Sequence, residues 1–176
     1  LVLWLSHLHA QQPIGLIFRI SAEEAKQLYK QDQKPISDSY FHTLVDSFGI
    51  EGYTPEDEQR NGHYLYIRAN GEQLEVLLNS IHTHHVLPIN NDRDLMLRIL
   101  NEDGKTVEGA KLKLGNRNVP YDPSVGSYRI KKRNKGGFLS VALPNDTLFY
   151  KVDPKDSKWL LSKRYRHFTE TQLGYN

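Results

Sequence analysis

The sequence predicts a mainly β fold, with a small α+β part at the N-terminal side and a β-sandwich at the C-terminal side. Three observations predict it. Short runs of strand composition follow one another from Asp94 to Val152: Asp94–Leu100, Lys105–Leu114, Gly126–Lys131, Gly137–Leu143 and Asp146–Val152. Each is bounded by Gly, Pro, Asn or Asp, the spacing expected of a small sandwich. Earlier, His63–Ala69 and Glu72–Leu78 flank Asn70-Gly71, the pair that best supplies positive φ at both positions of a type I′ hairpin turn. The main helical signals come before that hairpin, and Lys158–Tyr165 suits either a short helix or a strand entering the next domain.

Taken in order, Leu1-Val-Leu-Trp-Leu5 followed by Ser6-His-Leu-His-Ala10 reads as the end of an apolar signal region, with cleavage after Ala10. It is far shorter than the roughly 20 apolar residues a membrane span needs. Ile14–Ile20 suits a strand and runs into Ser21-Ala-Glu-Glu24, a capping box in which serine and glutamate satisfy each other's backbone amides. Ala25, Leu28 and Tyr29 then recur at helical spacing, predicting a helix from Ala22 to about Gln31 that stops before Lys34-Pro35. A second helix is expected after Ser37, since Tyr40, Phe41, Leu44, Val45 and Phe48 recur at three- and four-residue intervals and Gly49 follows. Tyr53–Gly62 is polar and reads as a loop. In the hairpin, Tyr64, Tyr66 and Arg68 share one face, and Leu65, Ile67 and Ala69 the other. Ser80–Leu87 reads as a third strand, closed by Pro88.

These elements divide the chain into a signal-peptide remnant over 1–10 and a small α+β module over 11–92, with two helices, a hairpin and a third strand. A β-sandwich module over 93–153 follows, and then 154–176 as a linker into a downstream domain. A chain of 176 residues accommodates two small modules, at roughly 100–200 residues for an ordinary domain. The absence of an initiator Met suggests a piece of a longer protein.

Composition limits function. A net charge of +2 gives no reason to expect nucleic acid as a partner. Charge is uneven, though: Lys111–Lys135 holds eight Lys and Arg against the single acid Asp122. The lack of cysteine removes disulfides, thiolate metal sites and a cysteine nucleophile.

Few constellations bear on chemistry. His82, His84 and His85 form the histidine cluster, and on a strand His82 and His84 project from one face, where a third ligand such as His63 or Glu75 would complete a metal site. No regular metal motif spans them, so no metal and no cofactor is assigned. His42, Asp46 and Ser47 lie close in sequence, but Ser47 points about 100° away from Asp46 on a helix, and no nucleophile elbow or oxyanion glycines accompany them. No catalytic residue is assigned. Arg129, Lys131, Lys132, Arg133 and Lys135, beside Tyr128 and Phe138, form a basic run suited to an anionic glycan or lipid. The ordinary reading of such a run is a solvated hairpin end whose lysines protect a sheet edge.

Asp103-Gly-Lys-Thr-Val-Glu-Gly-Ala-Lys-Leu112 resembles the start of carboxypeptidase-regulatory-like and related immunoglobulin-like or prealbumin-like modules. Together with Val119-Pro-Tyr-Asp122, Tyr128-Arg129 and Gly136-Gly-Phe-Leu139, it resembles the N-terminal region of bacterial alpha-2-macroglobulin-like proteins, particularly those of Bacteroidetes. The resemblance implies an exported protein, periplasmic or on the cell surface, in which small β modules precede a string of macroglobulin-like domains. It implies protease trapping and envelope defence for the whole protein. It implies no enzyme activity here and no thioester, because the family's thioester needs a Cys that this chain lacks. Expected partners are other domains of the parent chain, and a protein or an anionic envelope glycan or lipid. The alternative expectation is an accessory extension of an outer-membrane nutrient importer, binding carbohydrate or a transport partner.

Overall fold

The structure, a computed structural model, describes residues 15–31, 36–49, 60–70, 73–91, 93–131 and 136–152, with the backbone of residues 160–161 and 165–170. The fold is mainly β with a small helical part, as expected. In chain order it contains β1 (Gly15–Ile20), α1 (Ala22–Lys30), a 3₁₀ turn (Asp38–Tyr40), β2 (Leu44–Phe48), β3 (Gly62–Asn70) and β4 (Gln73–Ile81). Then come β5 (His85–Asn90), β6 (Asp94–Leu100), β7 (Lys111–Leu114), β8 (Arg117–Val119), β9 (Tyr121–Asp122) and β10 (Ser127–Lys131). Last are β11 (Gly137–Leu143), β12 (Asp146–Val152), β13 (Leu160–Leu161) and β14 (Tyr165–Glu170). They build three antiparallel sheets, ordered β14-β4-β3-β1-β2, β5-β6-β10-β9 and β13-β12-β11-β7-β8.

The first sheet is covered by α1. Cross-strand pairs Leu65↔Leu78 and Ile67↔Val76 put four apolar side chains on one face, and Ala25 and Leu28 of the helix bury against them. Each such side chain contributes about 1.5–3 kcal/mol on leaving water. The helix starts where the capping box places it. Glu24 N–H donates to Ser21 Oγ at 3.2 Å, and Ser21 N–H donates to Glu24 Oε2 at 2.8 Å.

The other two sheets pack face to face as a β-sandwich. Leu95, Leu97 and Ile99 of β6, with Tyr128 and Ile130 of β10, share one core with Leu112, Val119, Leu139, Val141, Leu148 and Val152 of the facing sheet. Alternation along each strand supplies these positions. Tyr128 reaches across, its hydroxyl donating to the Ala110 carbonyl at 2.8 Å. The turn after β6 is as local as its sequence: Gly104 has φ +74, and Lys105 N–H donates to Asn101 Oδ1 at 2.8 Å.

The outer face of the sandwich meets the first body. Phe149 points away from the sandwich core and belongs to the core under α1. Its ring lies 5.5 Å from those of Tyr29, His63 and Phe138.

Four expectations need correction. The second helix does not form. After the 3₁₀ turn, whose Ser39 N–H donates to Ser37 Oγ, the chain runs as β2 along β1, with Gly15↔Phe48 and Phe18↔Leu44 in register. The open edge of β1 offers ladder bonds to Val45 and Phe48, residue types that favour strands, and this outweighs the helical spacing. Gly15 lets the Phe48 ring lie against the backbone there, because a Cβ would overlap the ring's far end and push it aside. The third strand is also split. β4 continues to Ile81, and β5 begins at His85 in the sandwich, paired along β6 from His85↔Leu100 to Asn90↔Leu95. The sandwich therefore starts before residue 93, and Pro88 is tolerated because β5 is an edge strand. Lys105–Ala110 is a loop with one bridge, Leu100↔Thr106, and the strand proper begins at Lys111. Finally, the segment expected to lead away as a linker contains β13 on β12 and β14 on β4. Polypeptide ladder bonds, which do not depend on the segment's basic side chains, hold it there. The expected signal remnant over 1–10 lies outside the described residues.

Candidate functional site

Polar side chains gather at the seam between the first body and the sandwich. His63 lies at the start of β3 on the face covered by α1, and Ser80 stands opposite it near the end of β4. Residues 82–84 carry the chain from β4 to β5 across the seam. Asp146 opens β12, at the end of the tight turn after β11. Its side chain is only 2% exposed.

Asp146 is the hub. One carboxylate oxygen accepts from His82 Nδ1 at 2.7 Å. The other accepts from the Thr83 backbone N–H at 3.1 Å and lies 3.3 Å from His84 Nδ1. Thr83 Oγ1 in turn accepts from Asn61 Nδ2 at 3.0 Å. Burial, the largest single effect on Asp146, pushes its pKa up, but the hydrogen bonds and charges of His82 and then His84 together bring it below the ordinary value. The ionised carboxylate is acceptor-only, so His82 Nδ1 carries the proton of their bond.

His63 is the buried one among the described histidines, 4% exposed. Its Nδ1 lies 2.7 Å from Ser80 Oγ, which is 3.2 Å from the Tyr29 hydroxyl. Its ring meets His82 edge-on at 5.7 Å and stacks on Phe149. Burial first, and the charge of His82 second, push its pKa down to about 4, against a smaller upward pull from Asp146. His63 is thus neutral at ordinary pH. Burial, then the charges of Asp146 and Tyr29, raise Tyr150, which packs against the sandwich core, to about 12.

The histidine cluster is therefore divided. His82 and His84 share one aspartate, while His85 is exposed on β5. Among the described residues no three His, Asp or Glu side chains converge as metal ligands, and Glu75 faces Arg68 instead. Ser80 and His63 have the separation of a nucleophile and a base, but both face the packed rings of Tyr29 and Phe149. His42, Asp46 and Ser47 do not assemble either. With no helix beneath them, His42 bonds Glu24 Oε1 at 2.9 Å and Thr43 Oγ1 at 2.8 Å, and Asp46 Oδ1 accepts from Ser47 N–H at 2.8 Å.

The basic run is only partly described. Lys132, Arg133 and Lys135 lie outside the described residues, and Lys131 is exposed at the end of β10. Arg129 Nε donates to Asp94 Oδ2 at 2.6 Å, and Nη2 pairs with the same oxygen. The sequence reading missed Asp146, because 64 residues separate it from His82 and no motif links them.

Neither protein-family models, curated proteins nor solved structures give a match to this chain.

Proposed function

We propose that this chain is a non-catalytic structural and interaction module of an exported, macroglobulin-like envelope protein, where it holds two β bodies in a fixed relation and offers their outer surfaces to neighbouring domains. One observation carries the non-catalytic part. The titratable groups at the seam are committed to one another: both oxygens of Asp146 are taken by the residue 82–84 crossover, and His63 is held between Ser80 and Phe149. Such a network specifies one arrangement of two bodies. The envelope placement rests on the resemblance of Asp103–Leu112 and on the sandwich which that segment enters.

Two observations test the reading. Reading the coding sequence that continues from residue 176 should reveal further β-sandwich domains and a Cys-x-x-Gln thioester segment. A plug followed by many amphipathic strands of about ten residues would replace the reading with the importer extension. Sequencing the N-terminus of the exported product should give Gln11 or a near neighbour, whereas an uncleaved cytoplasmic product refutes export.

A further inference from the structure

The sandwich has a second outer face, on the side away from the first body. It belongs to the sheet β5-β6-β10-β9. Alternation along the strands dictates what it carries. Leu95, Leu97, Ile99, Tyr128 and Ile130 face the core, so Met96, Arg98, Arg129 and Lys131 face outward. The register then sets Ile89 of β5 opposite Met96 and Leu87 opposite Arg98, with Arg129 of β10 on the other side of Met96.

Leu87, Ile89 and Met96 thus form one apolar strip along the β5 side. Leu87 is 44% exposed, and the other two are half-buried. Arg98, Arg129 and Lys131 flank the strip on its β6–β10 side, and all three are exposed. The carboxylates of this face do not offset them at its surface. Asp94 is buried and paired with Arg129, and Asp122 accepts from the Ser124 amide and hydroxyl in the β9–β10 turn. A single exposed leucine is ordinary, and cations on a sheet face are often only solvated. Here the apolar side chains are contiguous and the cations lie along one side of them, an arrangement that solvation alone does not require.

We infer that this face docks an acidic amphipathic helix presented by a neighbouring domain or another protein. A helix whose apolar residues recur at three- and four-residue intervals covers such a strip, as Ala25 and Leu28 of α1 do on the first sheet. Glu and Asp along one flank of that helix meet Arg98, Arg129 and Lys131, and this charge match sets its direction and excludes basic partners. Addition of a strand is the poorer fit, because Pro88 lies within the edge strand β5 and has no N–H to donate. A bilayer is poorer still: of the strip only Leu87 is well exposed, and three cations are few to hold anionic headgroups. The inference deepens the interaction role proposed above by naming the face and the chemistry it takes. It does not depend on export or on the continuing coding sequence, so either can fail alone.

Met96 is the single methionine of the chain, so its methyl group gives one NMR resonance at the centre of the face. The full chain, carbon-13 labelled at that methyl, is titrated at low salt with three probes. These are a helical peptide of about four turns with a leucine stripe flanked by glutamates, the same peptide with lysines in place of the glutamates, and phosphatidylglycerol vesicles. The acidic peptide should shift the Met96 resonance saturably, and the other two should not. Arg98→Glu and Lys131→Glu, both at exposed positions, should each weaken that binding about ten-fold. Leu87→Asp should weaken it as well, whereas Lys113→Glu, on the facing sheet, should leave it unchanged. The inference is overturned if the acidic peptide does not saturate, if the lysine peptide or the vesicles bind as tightly, or if the charge reversals bind like the parent chain. A Met96 shift that grows with protein concentration alone assigns the face to a second copy of the chain and overturns it too.

Discussion

Acid should loosen this protein through one ring, His63. In the unfolded chain its imidazole titrates near 6.5, whereas in the fold burial and His82 hold it near 4. Between those values the unfolded chain binds a proton that the folded one refuses, so stability rises with pH. The contribution is complete above about pH 6.5 and is lost as pH falls toward 4. The full difference is worth about 3 kcal/mol, of which about 2 kcal/mol disappears between pH 7.5 and pH 5. Urea unfolding followed by far-UV circular dichroism at those two pH values measures it. The decisive comparison is with His63→Phe, which preserves ring stacking on Phe149 and removes the titration of that ring. The variant forfeits the bond to Ser80, about 1 kcal/mol at neutral pH, yet its loss on acidification should be smaller than that of the parent by about 2 kcal/mol. If parent and variant lose the same amount, His63 does not resist protonation and the account of the seam is wrong.

Two further outcomes follow from the same region. Asp146→Ala removes a buried acceptor from His82, His84 and the Thr83 amide, and should cost about 3 kcal/mol; the Thr83 amide should also lose its protection in hydrogen exchange, and unchanged exchange there would contradict the hub assignment. Phe149→Ala empties the place where the sandwich enters the core under α1, and should cost about 3–5 kcal/mol. Because that ring joins the two bodies, the variant should unfold in two steps where the parent unfolds in one.

Local chemistry was legible in the sequence, and competition between distant segments was not. The Ser21–Glu24 capping box involves neighbouring residues only, and it holds. The β3–β4 hairpin declares itself in the same way, although Asn70 pairs with Gln73, so the strand runs one residue further than its turn signal suggests. Leu44–Phe48 misled because its spacing fits a helix and its composition fits a strand. What decided was the free edge of β1, which no window around residue 44 contains. The crossover at His82–His84 was hidden for a related reason: it reads as continuous strand until Asp146, from the far side of the sandwich, claims its amide and its rings. The basic run was half visible, since the positive charge of Arg129 was noted but its pairing with Asp94 depends on the β6–β10 register.

The pairing of β14 with β4 makes the whole sandwich an insertion between two neighbouring strands of the first sheet. During synthesis, β1 to β4 emerge first and must wait, with the flank of β4 bare, until a second body has been made and the chain has come back. Loop closure over such a span is slow, and an exposed strand flank recruits other chains in the interval. Release from the ribosome, more than equilibrium stability, should therefore set the yield of soluble protein, and truncation just before Tyr165 should yield a folded sandwich with an aggregation-prone partner sheet.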